Sequence, residues 1–118
     1  MKYMLLIYQN ELTLDEATRQ ACYAESTQLA NDISAAGQYL GASPLRPTAA
    51  ATSVRVRDGK RLVTDGPFAE TREQLGGYYL VDVEHLDQAI NIAARIPGAR
   101  DGTVEIRPVV ELTGLPEE

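Results

Sequence analysis

One cysteine, one histidine and one phenylalanine occur in the whole chain, and each scarcity excludes something. Cys22 has no second thiol to pair with, so an internal disulfide is impossible and a reducing cytoplasm is the expected compartment. His85 stands beside Asp82 and Glu84, but a helical metal site needs a second His or Cys three or four residues away, and none follows. No metal is expected, and His85 reads as a solvated helix start. The apolar run at the N-terminus covers only Tyr3 to Tyr8 and has no small-residue cleavage site after it. No segment approaches the ~18 apolar residues needed to span a bilayer. Phosphate-cradling glycine motifs are missing as well. Gly76-Gly77 precedes a strand, whereas such a cradle opens a helix, so no cofactor is expected. Basic residues are also in deficit, 11 against 17 acidic ones, for a net charge of −6. That balance disfavours both nucleic-acid backbones and anionic membrane surfaces.

What is present fits one ordinary soluble domain. A chain of 118 residues, 44% hydrophobic and 24% charged, is long enough to bury a core of its own. We place a single domain over residues 1–112 and a loose acidic tail over 113–118. Lys2 to Tyr8 reads as a strand covered on both faces. In "TLDEATRQACYAESTQLANDISAAG", Thr13 and Glu16 form a capping-box pattern. Cys22, Leu29, Ile33 and Ala36 then recur at helical spacing, with Gly37 as the stop. "QYLGASPLRP" reads as a short extended segment ending at Pro44 and Pro47. "TSVRVRDGKRLVTDG" reads as a hairpin turning at Asp58-Gly59, whose residues accept positive φ angles. "GGYYLVDV" is a strand with Tyr78, Leu80 and Asp82 on one face and Tyr79, Val81 and Val83 on the other. A second helix carries Leu86, Ala89, Ile90, Ala93 and Ile96, ends at Pro97-Gly98, and "GTVEIRPVVEL" is the last strand.

Without the inserted hairpin the order is βαββαβ, the ferredoxin-like α+β pattern. Two helices cover only one face of such a sheet. The other face, too apolar to stay wet, predicts a sheet-to-sheet homodimer.

Chemistry-bearing residues gather around "VTDGPFAETREQLGGYY". Asp65 can accept backbone amides ahead of it, Gly66 permits angles other residues resist, and Phe68 would pin the turn into the core. Thr71 and Gln74 repeat the capping-box spacing, which predicts one helical turn over 71–75. The simplest reading is a stiff, anchored turn. The sharper one places Asp65 and Glu70 at a pocket mouth as acid or base, with Arg72 holding an anionic group. Ser26, a hydroxyl on the apolar stripe of the first helix, and Tyr78 would then hydrogen-bond a small-molecule ligand. Cys22 lies on the same stripe with nothing basic beside it and reads as a small hydrophobe. Arg55, Arg57, Lys60 and Arg61 form the hairpin's solvated outer edge.

Three stretches, "MKYMLLIY", "TSVRVRDGKRLVTDGPFAETREQLGGYYLVDV" and "ARIPGARDGTVEIRPV", resemble DGPF-domain proteins of the YciI-related family. The resemblance runs from Met1 to Leu112. It implies a bacterial cytoplasmic protein with a ferredoxin-like fold that pairs into a dimeric α/β barrel. Many such proteins are encoded beside, or fused to, extracytoplasmic-function sigma factors, so a sigma factor is an implied partner of a non-catalytic, regulatory alternative. In other branches of the family a His on the first helix, paired with an Asp, is the proposed active site. Here Ser26 falls at about that place, and a serine without a neighbouring base is a poor nucleophile. Whether the chain is an enzyme stays open at this level.

Overall fold

The computed structural model describes residues 1–116. Six strands, β1 (Lys2–Gln9), β2 (Tyr39–Pro44), β3 (Thr52–Arg57), β4 (Lys60–Asp65), β5 (Gln74–Asp82) and β6 (Thr103–Pro108), accompany two helices, α1 (Glu16–Ala35) and α2 (Leu86–Ala94). The main sheet runs β2-β5-β1-β6 with every pairing antiparallel, the strand order of ferredoxin-like α+β folds. β3 and β4 pair only with each other. Their turn has Asp58 at φ 52 and Gly59 at φ 73, so both central residues take the positive angles that the sequence anticipates.

Alternation along β1 sorts the two faces of the sheet. Tyr3 and Leu5 are buried, opposite Val81 and Tyr79 of β5, while Leu5 also faces Ile106 of β6. On these side chains rest Leu29 and Ile33 of α1 with Ala89, Ile92 and Ala93 of α2. Each branched side chain so buried contributes roughly 1.5–3 kcal/mol, which makes this layer the source of stability. The other face carries Met4, Leu6, Tyr8, Tyr78 and Leu80, all half-buried, and neither helix lies over it.

Five local readings need correction. The α1 cap is Asp15, whose carboxylate accepts the Thr18 N–H at 2.7 Å. Thr13 instead closes the preceding 3-10 turn, donating its hydroxyl to the Asn10 carbonyl. Residues 71–75 form no helical turn, because Gln74 joins β5 opposite Gln9 and ladder pairing outweighs a local cap. Phe68 is 76% exposed and pins nothing into the core of its own chain. In α2 the inward stripe is Ala89, Ile92, Ala93 and, just past the helix, Ile96, while Leu86 and Ile90 face outward. Both stripes have i, i+3, i+4, i+7 spacing, so periodicity alone does not choose between them. Ala36, placed on the inward stripe of α1 by spacing, is exposed beyond the helix end.

The hairpin projects from this body. Val54, Val56, Leu62 and Val63 are each about half exposed or more. The radius of gyration, 16.0 Å, exceeds the ~13.5 Å of a compact chain of this length. A lone two-stranded ribbon is marginal in water, and this arm buries little of its apolar surface against its own chain. Of the acidic tail, residues 113–116 are exposed, and Glu117 and Glu118 lie outside the described residues.

Candidate functional site

A single extra residue in β5 creates the site. Ile7 pairs with Gly77 and Tyr8 with Leu75, which leaves Gly76 unmatched as a bulge. Beyond the bulge the pleat is offset, so Gln74 falls on the same face as Gln9. Its amide oxygen accepts the Glu11 N–H at 2.9 Å, and its nitrogen donates to the Thr71 carbonyl. The side chain thereby ties the loop after β1 to the start of β5. Gly76 and Gly77 then present bare backbone toward α1. A Cβ on Gly77 would stand 3.0 Å from the Ser43 carbonyl oxygen and 3.2 Å from Pro44 Cα, so β2 would have to give by a few tenths of an ångström to admit one, whereas a Cβ on Gly76 would meet only ordinary contacts at 4.0 Å.

Above this floor the N-terminal half of α1 stands off from the sheet. The space between is a cleft of about 260 Å3, walled by Cys22, Tyr23 and Ser26 of α1, Tyr39 of β2, Tyr79 of β5 and Pro97-Gly98 after α2. No charged side chain lines it. Tyr79, 2% exposed, donates its hydroxyl to the Ser26 carbonyl at 2.7 Å and so joins sheet to helix beside the cleft. Burial raises the Tyr79 pKa, with the Ser26 side-chain hydroxyl acting in the opposite direction. Burial also raises the Cys22 thiol, reinforced by Asp101 and Glu25. A thiol held in the protonated form is a donor and a packing group rather than a nucleophile. Charges near the rim are mutually satisfied: Arg100 grips Glu25 through two hydrogen bonds of 2.8 and 2.9 Å, and that pairing lowers the Glu25 pKa. A smaller cavity of about 50 Å3 adjoins, bordered by Arg19, Glu11 and Gln74. The Glu11 carboxylate there is taken up by the Thr48 N–H and hydroxyl.

The residues singled out from sequence divide accordingly. Ser26 borders the cleft, and so does Tyr78, but Tyr78 sits opposite Leu6 in the register, on the outer face of the sheet. It therefore offers the cleft its main chain, and the inward hydroxyl of the pair belongs to Tyr79. Asp65, Glu70 and Arg72 are exposed and border neither cavity. Asp65 ends β4, and Gly66, at φ 95, folds back so that its N–H reaches the Ala51 carbonyl and its own carbonyl accepts the Ser53 hydroxyl. The stretch is thus the closed base of the hairpin. Tyr23 and Tyr39 have no mark in the sequence that separates them from other tyrosines. Among the described residues, no group of three or more His, Cys, Asp and Glu side chains comes together.

Sheet order, helix placement and cleft define a small α+β protein in which one helix roofs an uncharged hollow. The chain belongs to the YCII-related domain family, whose model matches residues 1–113. It is similar to an uncharacterised protein of Rhizobium meliloti (strain 1021), 36% identical over 118 residues that cover 92% of each chain. No helix among the described residues is long and apolar enough to cross a membrane.

Proposed function

We propose that this protein binds one small molecule in the cleft between α1 and the sheet and works as a homodimer joined through the uncovered sheet face. The observation that carries the first part is the bulge at Gly76, which opens a hollow floored by backbone where continuous pleating would fill it with side chains. At about 260 Å3 the hollow lies just below the roughly 300–1,000 Å3 of drug-sized pockets, which suits a metabolite of about one ring. Ser26 keeps the ligand-binding role given to it from sequence. Asp65, at the hairpin base, and Glu70 and Arg72, in the exposed segment before β5, carry no step in this reading. General acid–base chemistry needs a titrating group within hydrogen-bond reach of the ligand, and the two lining groups whose titration is displaced, Cys22 and Tyr79, are both pushed away from ionising. Binding without turnover is therefore the function the geometry favours.

The test is a thermal-shift screen of wild type beside Ser26→Phe against a library of small metabolites. At least one compound should raise the wild-type Tm by several degrees and leave the filled variant unmoved. A library without any compound that separates the two proteins overturns the reading.

The second part rests on Met4, Leu6, Tyr8, Tyr78 and Leu80, an apolar face that the chain's own helices do not cover. A second copy offers the same face in return, and closing two such sheets on each other yields the α/β barrel. The projecting hairpin, with its exposed valines, would reach around the partner. In sedimentation equilibrium at micromolar concentration the wild type should run at twice the 12.9 kDa of one chain. Leu6→Glu should run as one chain, because a carboxylate at the centre of that interface cannot be desolvated without a partner. A wild type that sediments as a single chain removes the dimer and leaves the cleft untouched.

A further inference from the structure

We infer that the cleft selects an uncharged molecule of about one ring bearing carbonyl or hydroxyl oxygens, and rejects carboxylates and amines of the same shape. The inference rests on the pocket reading above and adds the ligand's charge and hydrogen-bonding class.

Its basis is the chemistry of the walls. The polar side chains that face the hollow are all uncharged: the Gln9 carboxamide, whose nitrogen donates to Asp101, the hydroxyls of Tyr23, Ser26, Thr27, Tyr39 and Tyr79, and the Cys22 thiol. The two groups whose titration is displaced, Cys22 and Tyr79, are pushed further from ionising. Tyr79 has spent its hydrogen on the Ser26 carbonyl, so toward the cleft it can only accept. Thr27 at the rim has spent its hydrogen on the Tyr23 carbonyl. Among the described residues the hydroxyls of Tyr23 and Tyr39 take part in no such bond and each can donate or accept, while the Ser26 hydroxyl stands close enough to that of Tyr79 to act on its titration. Such a set matches neutral oxygens, which ask for one or two hydrogen bonds and no counter-charge. An ion would leave water for walls that hold no opposite charge, and that transfer is unfavourable unless the ion is paired. Of the cations near the cleft, Arg100, beside Cys22, is already gripped by Glu25, Arg19 of the adjoining cavity is paired with Glu16, and the protein's net charge of −6 further opposes an incoming anion. Ile7, Ala30, Ala42 and Ile96 supply the apolar remainder, against which a ring can lie.

Three probes with one skeleton separate the possibilities: benzamide, neutral; benzoate, an anion; and benzamidine, a cation. Each is titrated into 15N-labelled protein, and the amide signals of Ser26, Gly76, Gly77 and Gly98 are followed. Benzamide should shift them saturably, with a Kd at least tenfold lower than that of either ion. Ser26→Ala, which trims one hydroxyl without refilling the core, should weaken benzamide about fivefold and leave the rest of the spectrum in place. If benzoate or benzamidine binds as tightly as benzamide, the charge selection is wrong while the pocket stands; an Arg19→Gln variant that then loses benzoate would assign the anion to the adjoining cavity. If none of the three moves these amides, or if benzamide moves only residues elsewhere, the pocket reading falls and this inference falls with it.

Discussion

Gly102→Ala should be among the most damaging single-methyl changes in the chain, costing about 2–4 kcal/mol and lowering Tm by roughly 10 °C or more. A Cβ built at Gly102 stands 2.1 Å from the Tyr8 carbonyl oxygen, 3.0 Å from the Gly98 carbonyl oxygen and 3.1 Å from Gln9 Cγ. Two of these neighbours are backbone and cannot swing aside. Tyr8 is paired with Thr103 at the end of the β1–β6 ladder, and the Gly102 N–H donates to Gly98 at 2.8 Å, so relief in either direction breaks a main-chain bond. The turn that delivers Pro97-Gly98 to the edge of the cleft would shift with it, and benzamide binding should weaken in whatever fraction remains folded. Gly41→Ala is the matched control. That glycine lies in β2 without a positive φ, its Cβ would meet nothing within 4 Å, and the change should stay within about 0.5 kcal/mol. Equal melting temperatures for the two variants would show that the close approach of β1 to this turn is not the packing of the folded protein.

The contrast between those glycines marks the limit of what a sequence reveals. Strands and helices are legible because their signals are periodic: Leu29 and Ile33 on the inward stripe of α1, the Asp58-Gly59 turn, and the alternation that sends Tyr78 and Tyr79 to opposite faces all appear in the structure as read. Gly102 has no such signal. Its φ is not positive, and it is needed only because another strand passes within contact distance, a property of the tertiary fold alone. The capping errors at Thr13 and at 71–75 have a related origin. A local pattern worth about 1 kcal/mol yields when a better acceptor such as Asp15, or a whole ladder of strand bonds, competes for the same backbone groups.

The site was legible only in part, for a different reason. Polar residues beside a rigid turn attract a functional reading, yet Asp65 ends the projecting hairpin, and Glu70 and Arg72 lie exposed in the segment between β4 and β5. The cleft lies at the other end of the same stretch, where Gly76-Gly77 meets Ile7. A bulge is a mismatch between two strands, so neither strand shows it alone. Ser26 was visible because a hydroxyl on an apolar stripe breaks a period. Tyr79 was read as core, which it is, and its bond to the Ser26 carbonyl emerges only once helix and sheet are placed together.

That joint is also where the second large effect is expected. α1 is twenty residues long, yet only Leu29 and Ile33 along it are buried, so the roof of the cleft is held down by its C-terminal half. Ile33, 1% exposed, packs into the sheet's inner layer, and Ile33→Ala should cost about 3 kcal/mol through lost burial and the cavity left behind. Ile33→Val should cost about 1 kcal/mol, the loss of a single methyl group. The surface joints are too weak to compensate. Arg95 to Asp32 and Arg100 to Glu25 tie the helix to the segment after α2, but exposed ion pairs add little once solvent screens them. The loss should therefore be local before it is global. In hydrogen exchange the amides of α1 should open faster in Ile33→Ala than those of β1 and β5, and benzamide affinity should fall with them, since Cys22, Tyr23 and Ser26 leave together. Gln28→Ala, on the exposed side of the same helix, should change neither measurement. An Ile33→Ala protein that loses less than about 1 kcal/mol, or whose α1 and sheet amides open in step, would mean that the helix is not a separately hinged roof and that the hollow beneath it is held open by something other than this one anchor.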